Sequence, residues 1–263
     1  MIGIFDSGIG GLTVVKEFFK YLPSYRIIYF GDTARLPYGT KSPNFIKQCS
    51  KEIIEFLLKK GAKVIVIACH TSSSLATNFL KEQFKNVSIF EITTPGIKEA
   101  IEATKNKRIG VIGTPGTIKS GVHARKLLRI DPSLRIYSQS CPLLAPLVEE
   151  GWINREETKS IIRSYLMPLK KKKIDTLILA CTHYPLLRKA ITSFLGKDVA
   201  IINPASDLVT EFKRFLNENR KIANDLKKGG RHQFFVSDNP YNFKVMSRLC
   251  LNREIHPKVV SIN

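Results

Sequence analysis

The chain has 263 residues, of which 43% are hydrophobic, 24% charged and 9% aromatic. These values are ordinary for globular proteins and exclude a disordered, fibrous or collagen-like chain. Lysine and arginine (42) outnumber aspartate and glutamate (22), which gives a formal net charge of +20. A nucleic-acid partner and a generally basic exterior both fit this charge. The tightest basic run, Lys170–Lys173, is typical of a solvated helix end, and the chain has no zinc finger, RNP-like strand or aromatic-interleaved basic stretch, so we expect no nucleic-acid partner.

Short apolar strands alternate with amphipathic helical stretches along almost the whole chain. In the first part, we predict strands and helices in the order strand 2–5, helix 12–21, strand 26–30, helix 44–60, strand 64–68, helix 73–84 and strand 88–92. The pattern then restarts with strand 108–112, helix 119–128, strand 135–138, helix 153–169, strand 176–180, helix 186–195, strand 200–202, helix 205–217, strand 232–236, a helix from 241 and strand 258–262. This alternation predicts an α/β fold with mainly parallel sheets flanked by helices.

The two parts of the chain contain similar sequence segments. Ile2–Ile4 and its glycine-rich turn resemble Ile109–Val111 and its turn, and Val64–Thr71 resembles Thr176–His183. The two segments of the first pair are separated by nearly as many residues as the two segments of the second pair, which indicates an internal duplication. We therefore predict two pseudo-symmetric lobes with the active site in the cleft between them. We assign residues 1–93 plus 205–263 to the first lobe and 94–204 to the second.

Five cysteines, an odd number at wide spacing, do not form a disulfide framework and fit a reducing compartment. Hydrophobic runs stay well below the roughly 18 residues of a membrane helix, and the chain opens without a basic leader. We therefore expect a cytoplasmic protein without a membrane partner.

Cys69 and Cys181 occupy equivalent positions in the duplicated segments, each at the carboxyl end of a strand and just ahead of a helix. Ligands collect at such strand ends, and a helix N-terminus lowers the pKa of a thiol from about 8.5. Two thiols on opposite sides of one cleft would serve the two faces of one carbon, as a stereoinversion requires. Asp6 and His183 are suitable helper groups.

Other readings of these residues stay open at this stage. Both cysteines could be buried hydrophobic residues, or they could form a redox disulfide, although the chain has no C-x-x-C motif. Cys69, His70, Cys181 and His183 contain zinc-ligating atoms but lack the close pairing of structural zinc sites, so we predict no metal.

A dinucleotide-binding motif is a further alternative for the first turn. Gly8, Gly10 and Gly11 follow a strand and precede a helix, and Asp32 follows the next strand. Thr13 occupies the position of the third glycine, so the match is weak.

Four segments carry a specific family resemblance, which extends from residue 2 to about residue 238. They are Phe5–Thr13 (FDSGIGGLT), Gly31–Ser42 (GDTARLPYGTKS), Cys141–Gly151 (CPLLAPLVEEG) and Cys181–Leu187 (CTHYPLL). In this order they resemble the signature segments of bacterial glutamate racemases. The resemblance implies a cofactor-independent isomerase of two α/β lobes that interconverts L- and D-glutamate, supplying D-glutamate for peptidoglycan, cell wall biogenesis and cell shape.

The resemblance also implies roles for individual residues. It makes Cys69 and Cys181 the proton donors and acceptors, Asp6 and His183 their assisting groups, and Glu149 a further polar catalytic residue. Asp6 and His183 also count among the substrate contacts, whose remaining members are Ser7, Tyr38, Gly39, Thr71, Thr114, Thr117 and Thr182. Each helper also has a structural reading: Asp6 could cap a helix, His183 could bond a backbone group, and Glu149 could be a solvated helix end.

His70 departs from the family, which normally has asparagine after its first cysteine. A histidine could become cationic, strengthen carboxylate binding and depress the pKa of Cys69, or it could crowd the pocket. We therefore count His70 among the substrate-binding residues and keep aspartate or another amino acid as the alternative substrate. Ala145 occupies a position where the family usually has valine, and we expect this difference to have little effect on function. The sequence leaves a homodimer open.

Overall fold

The computed structural model describes residues 1–262. Its strands are β1 (Ile2–Asp6), β2 (Ile27–Gly31), β3 (Val64–Ile67), β4 (Ser88–Glu91), β5 (Arg108–Gly113), β6 (Arg135–Ser140), β7 (Thr176–Ala180), β8 (Ala200–Ile202), β9 (Gln233–Val236) and β10 (Lys258–Val259). Its α-helices are α1 (Leu12–Tyr21), α2 (Pro43–Lys59), α3 (His70–Gln83), α4 (Thr93–Ala103), α5 (Pro115–Ser120), α6 (Val122–Ile130), α7 (Leu144–Glu149), α8 (Glu156–Lys171), α9 (Arg188–Leu195), α10 (Pro204–Glu218), α11 (Arg220–Asp225) and α12 (Tyr241–Leu251). Short 3₁₀ turns cover Tyr38–Thr40 and Tyr184–Leu187.

The strands form two sheets, in the orders β10-β9-β2-β1-β3-β4 and β6-β5-β7-β8. Every pair of neighbouring strands in these sheets is parallel. The order β2-β1-β3-β4 matches the order β6-β5-β7-β8, so strands of the two duplicated segments occupy equivalent places. The predicted α/β fold of two parallel sheets flanked by helices is confirmed.

Burial explains why the central strands are apolar runs. All residues of β1, β2, β3 and β7 are buried, as expected for parallel strands covered on both faces. The largest hydrophobic cluster contains side chains of both sheets, among them Ile4 and Leu179, while the opposite face of each sheet has a cluster of its own. The lobes therefore share a core. No helix in residues 1–262 has the length and apolar character needed to cross a membrane.

The chain passes from the first sheet to the second through α4 and returns through α10, and these two helices pack against each other. The proposed domain boundaries, after residues 93 and 204, fall at the starts of these helices. They stay a prediction, and Asn263, the last residue assigned to the first lobe, lies outside the described residues.

The structure corrects several predicted elements. Helices α4, α7 and α11 were missed, and α3 begins at His70 rather than at residue 73. The segment predicted as one helix at 119–128 belongs to two, α5 and α6, because Gly121 between them adopts a left-handed φ of 64° that breaks the helical path. In α7, Pro146 falls in the first turn, where a proline costs no helical hydrogen bond.

Candidate active site

A cavity of about 300 Å³ opens at the carboxyl ends of the strands, between the two sheets. The predicted site residues that line it are Ser7, Tyr38, Gly39, Cys69, His70, Thr71, Thr114, Glu149, Cys181, Thr182 and His183. Asp6 and Thr117, also predicted as site residues, do not line it but contact residues that do. The structure thus brings the predicted set together at one place.

Cys69 lies between β3 and α3 and is the N-cap of that helix. Its Sγ accepts a hydrogen bond from the Ser72 backbone N–H at 3.4 Å and donates one to Ser7 Oγ at 3.3 Å. Burial, reinforced by the Asp6 carboxylate, nevertheless raises the pKa of this thiol above its ordinary value. The expectation that the helix N-terminus lowers the pKa of Cys69 is therefore wrong, because desolvation outweighs the helix and the hydrogen bonds.

Cys181 lies just beyond β7 and borders the same cavity as Cys69, and its Sγ is 3.7 Å from Nδ1 of His183. On the other side of the ring, Nε2 of His183 lies 2.8 Å from Oε1 of Glu149, although the ring N–H is not aligned with that oxygen. Burial opposes a charge on His183, but its contacts with Cys181 and Glu149 outweigh burial and raise the pKa well above its ordinary value. The protonated form of the imidazole next to Cys181 is therefore favoured.

Asp6 ends β1 and lies below the floor of the cavity. Its carboxylate accepts hydrogen bonds from the Gly8 backbone N–H at 3.1 Å and from Thr182 Oγ1 at 3.4 Å. Burial raises the pKa of this carboxyl group. Helix α1 has Gly11 at its N-cap position, without a side-chain cap, so Asp6 organises the preceding loop and the Thr182 side chain rather than capping the helix as an N-cap residue.

Three threonine hydroxyl groups form a triangle, of which those of Thr71 and Thr114 belong to residues that line the cavity. Oγ1 of Thr71 lies 2.9 Å from Oγ1 of Thr114 and 3.1 Å from Oγ1 of Thr117, and the latter two are 3.0 Å apart. Thr114 is also the N-cap of α5, where it accepts a hydrogen bond from the Thr117 backbone N–H. Such a set of rotatable hydroxyl donors suits a carboxylate.

The glycine-rich turn of the first lobe allows the two lobes to approach closely. A Cβ on Gly10 would collide with Thr182 and His183, and one on Gly11 would lie 2.6 Å from Cβ of Asp6. At the same edge, Gly39 packs against Thr114, where a Cβ would lie 2.7 Å from the threonine Cβ. Gly10 and Gly39 therefore allow close contact between the lobes, whereas Gly11 allows close packing within the first lobe.

The dinucleotide reading of this turn fails on Asp32. Asp32 is fully buried, and its carboxylate accepts hydrogen bonds from Tyr38 Oη, from Arg35 Nε at 2.7 Å and from Ser237 Oγ at 2.8 Å. Its oxygens are thus committed within the protein, so they cannot receive the hydroxyl groups of a ribose. Instead, Asp32 anchors Tyr38 at the rim of the cavity.

His70 lies in the cavity wall, and its ring stacks on that of His123 from α6, with centroids 5.9 Å apart. Burial, with a smaller contribution from His123, holds the pKa of His70 well below its ordinary value. Of the two alternatives left open for His70, burial disfavours the cationic ring. Sequence reasoning missed His123, since nothing in its local sequence connects it with His70.

The metal and disulfide readings of the cysteines receive no geometric support. Within residues 1–262 no group of three or more histidine, cysteine or acidic side chains is placed to hold a metal ion. All five cysteines are free thiols. Cys69 and Cys181 are almost fully buried, as in a hydrophobic core, yet both border the cavity.

The sequence model of the Asp/Glu/Hydantoin racemase family matches residues 11–211. The chain belongs to this family. A glutamate racemase from Geobacter metallireducens is 42% identical to it over 242 residues, which are 92% of this chain and 89% of the relative. The resemblance to bacterial glutamate racemases that the motifs predicted is thereby confirmed, and the protein is an isomerase of this family.

Solved structures of other members share the fold over the whole chain. A glutamate racemase isoform from Bacillus anthracis has a TM-score of 0.93 at 36% identity, covering 100% of this chain and 97% of its own. A glutamate racemase from Francisella tularensis, solved in complex with D-glutamate, has a TM-score of 0.91 at 35% identity with the same coverage of both chains. The two-lobed architecture is therefore that of the family.

Proposed function

We propose that this protein interconverts L- and D-glutamate by moving a proton at Cα, with Cys69 and Cys181 as the two acid–base groups. The observation that carries the proposal is that these two thiols, from equivalent strand ends of the two sheets, border one cavity of about 300 Å³. A substrate carbon held between them has a thiol on each face. Removal of a proton from one face and delivery to the other inverts the configuration.

The surroundings of the two thiols differ. Burial favours the protonated thiol at Cys69, whose pKa is raised. Sγ of Cys181 instead lies 3.7 Å from Nδ1 of His183, a ring that can exchange a proton with it. For one direction of the reaction we therefore assign the role of the acid to Cys69 and that of the base to Cys181.

The reaction then follows in two proton transfers. The Cys181 thiolate takes the α-proton, and the electron pair left at Cα delocalises into the neighbouring carboxylate. The S–H proton of Cys69 passes to the opposite face of Cα. The products are the other enantiomer, a Cys69 thiolate and a Cys181 thiol, so the reverse reaction uses the same groups in exchanged roles. The electron pair needs no other acceptor, so we propose that no cofactor takes part.

The polar groups of the cavity wall would hold the two carboxylates of glutamate. Thr71 and Thr114 offer hydroxyl donors from both lobes to the cavity, and the Thr117 hydroxyl, which does not line it, hydrogen-bonds with both of them. Ser7, Thr182 and the rim residues Tyr38 and Gly39 supply further contacts. The structure of the Francisella tularensis relative, solved in complex with D-glutamate, supports this ligand class.

Aspartate is the second candidate substrate, because the His70 ring occupies part of the cavity wall and a shorter substrate would need less room. The ratio of kcat/KM values for L-glutamate and L-aspartate decides between the two.

The biological setting follows from family membership alone. We propose that the D-glutamate formed supplies peptidoglycan synthesis and that the reaction takes place in the cytoplasm. The substrate is a small molecule, and we propose no nucleic-acid partner despite the net charge of +20. A steep dependence of DNA binding on salt concentration, together with tight binding, would contradict this.

The deciding experiment follows the circular dichroism of L-glutamate incubated with purified protein, without added pyridoxal phosphate. We expect the optical signal to decay to zero. In D₂O, the product enantiomer should carry deuterium at Cα from its first appearance, because each thiol exchanges its proton with solvent. An unchanged optical signal with glutamate and decay with aspartate would replace the proposed substrate.

A further inference from the structure

Two histidines are buried against each other next to the cavity: His70 lines it and His123 does not. The rings of His70 and His123 are stacked, with an interplanar angle of 26°, and each residue is about 3% exposed. Nδ1 of His70 and Nε2 of His123 have no hydrogen-bond partner among the described residues. Leaving such atoms unpaired costs free energy, so the arrangement calls for a reason other than stability.

Both rings are uncharged at neutral pH. Burial lowers the pKa of His70 well below its ordinary value and that of His123 to about 4. A neutral imidazole carries one hydrogen-bond donor and one acceptor. Since Nδ1 of His70 is buried and the residue borders the cavity, Nε2 is the ring nitrogen left to meet a ligand.

The two rings come from different lobes. His70 opens α3, which follows strand β3 of the first sheet, while His123 belongs to α6, between strands β5 and β6 of the second. Lys126, one turn along α6, is held by Glu91 Oε1 at 2.9 Å and Thr94 Oγ1 at 2.7 Å. These bonds fix the start of α6, and with it His123, against the end of β4 and the start of α4.

We propose that His123 is a positioning residue for the reaction: its ring, stacked on His70, fixes the His70 imidazole in the cavity wall so that His70 can hydrogen-bond the substrate. The proposal rests on the proposed function. It makes substrate affinity depend on a side chain of the second lobe that does not border the cavity. The two thiols are not touched by His123, so the proton transfers themselves should proceed as before.

The test compares three variants, each in the native background and with His70→Asn. His123→Ala removes the stack, His123→Phe keeps a ring, and Leu127→Ala deletes a buried side chain of the same helix that belongs to a different cluster. We expect His123→Ala to raise KM for glutamate about 3- to 10-fold, the value of one hydrogen bond, with kcat within about 2-fold. His123→Phe should have the KM of the unmutated protein, and so should Leu127→Ala. The double variant with His123→Ala and His70→Asn should have the same KM as His70→Asn alone.

Several results would overturn the inference. Equal KM values for His123→Ala and Leu127→Ala, or the same rise in KM with and without His70→Asn, would show that His123 acts only on the stability of α6. If His123→Ala does not fold, His123→Leu carries the same comparison. If the unmutated protein racemises glutamate and His123→Ala does not change KM, this inference alone is overturned. If the unmutated protein does not racemise glutamate, both proposals are overturned.

Discussion

His183 Nε2 lies 2.8 Å from Glu149 Oε1, at the place where the end of α7 meets the loop after β7. This contact helps to raise the pKa of His183 beside Cys181, although the side chain is almost fully buried. The protonation of His183 therefore depends on a residue at the end of a helix from another part of the chain.

Glu149→Gln should move the alkaline limb of the rate profile to lower pH. Without the carboxylate, the pKa of His183 falls, so the ring beside Cys181 loses its proton at a lower pH. Measurement of kcat as a function of pH checks this. An alkaline limb at the same pH in both proteins would show that Glu149 does not control His183.

The same substitution predicts a pH-dependent loss of stability. The pKa of His183 is raised on folding, so its contribution to stability is complete below the unfolded value of about 6.5 and disappears as pH rises through the folded value. Urea unfolding should show Glu149→Gln less stable by about 1–3 kcal/mol at pH 6, with the difference shrinking at alkaline pH. A difference that grows with pH would contradict the assignment.

Cys69→Ser and Cys181→Ser should each lower the rate of racemisation by about 10²- to 10⁴-fold, because a serine hydroxyl is a far weaker acid than a thiol. Each variant keeps one base and should still eliminate HCl from one enantiomer of a β-chloro acidic substrate, with opposite enantiomers for the two variants. Cys250→Ser, a buried cysteine in α12 away from the cavity, is the matched control and should keep its kcat. Full racemisation by either active-site variant would rule out the two-thiol mechanism.

His70→Asn should change KM for glutamate by less than about 10-fold and leave the pH profile between 6 and 8 unchanged, because burial keeps the native ring neutral in that range. An amide also offers a donor and an acceptor. Steady-state kinetics across that pH range provide the check. A titration near pH 6.5 that vanishes in the variant would show that His70 becomes cationic in the working enzyme.

Gly10→Ala should damage both activity and stability, since the added Cβ would overlap Thr182 and His183 from the second lobe. Overpacking of this kind costs about 1–3 kcal/mol. Gly8→Ala, whose Cβ would meet Leu36 Cδ2 at an ordinary 3.4 Å, is the control for stability. Urea unfolding of the two variants compares them, and equal stabilities would show that the lobes tolerate separation at this point.

Prolonged treatment with a chelator should leave activity and fold intact, because no group of three potential ligands is assembled within residues 1–262. Metal analysis of the purified protein accompanies the activity assay. Stoichiometric zinc whose removal abolishes activity would support the ligand reading of Cys69 and Cys181.

The sequence by itself determined the positions of the two thiols. Each lies at the end of an apolar strand, and both the strand pattern and the Ala-Cys sequence are repeated, so local patterns were sufficient to predict two equivalent strand ends facing one cleft. The same patterns predicted most of the strands and helices. They failed at α4, α7 and α11, of which α7 is short and contains Pro146.

Only the tertiary structure decided how these groups are charged and what holds them. Burial raises the pKa of Cys69 and keeps His70 neutral, against the expectations drawn from the helix N-terminus and from the free imidazole. Glu149 reaches His183, and His123 reaches His70, from segments far apart in the chain. Desolvation and long-range contacts depend on how the whole chain packs, and a local pattern of residue types carries no record of either.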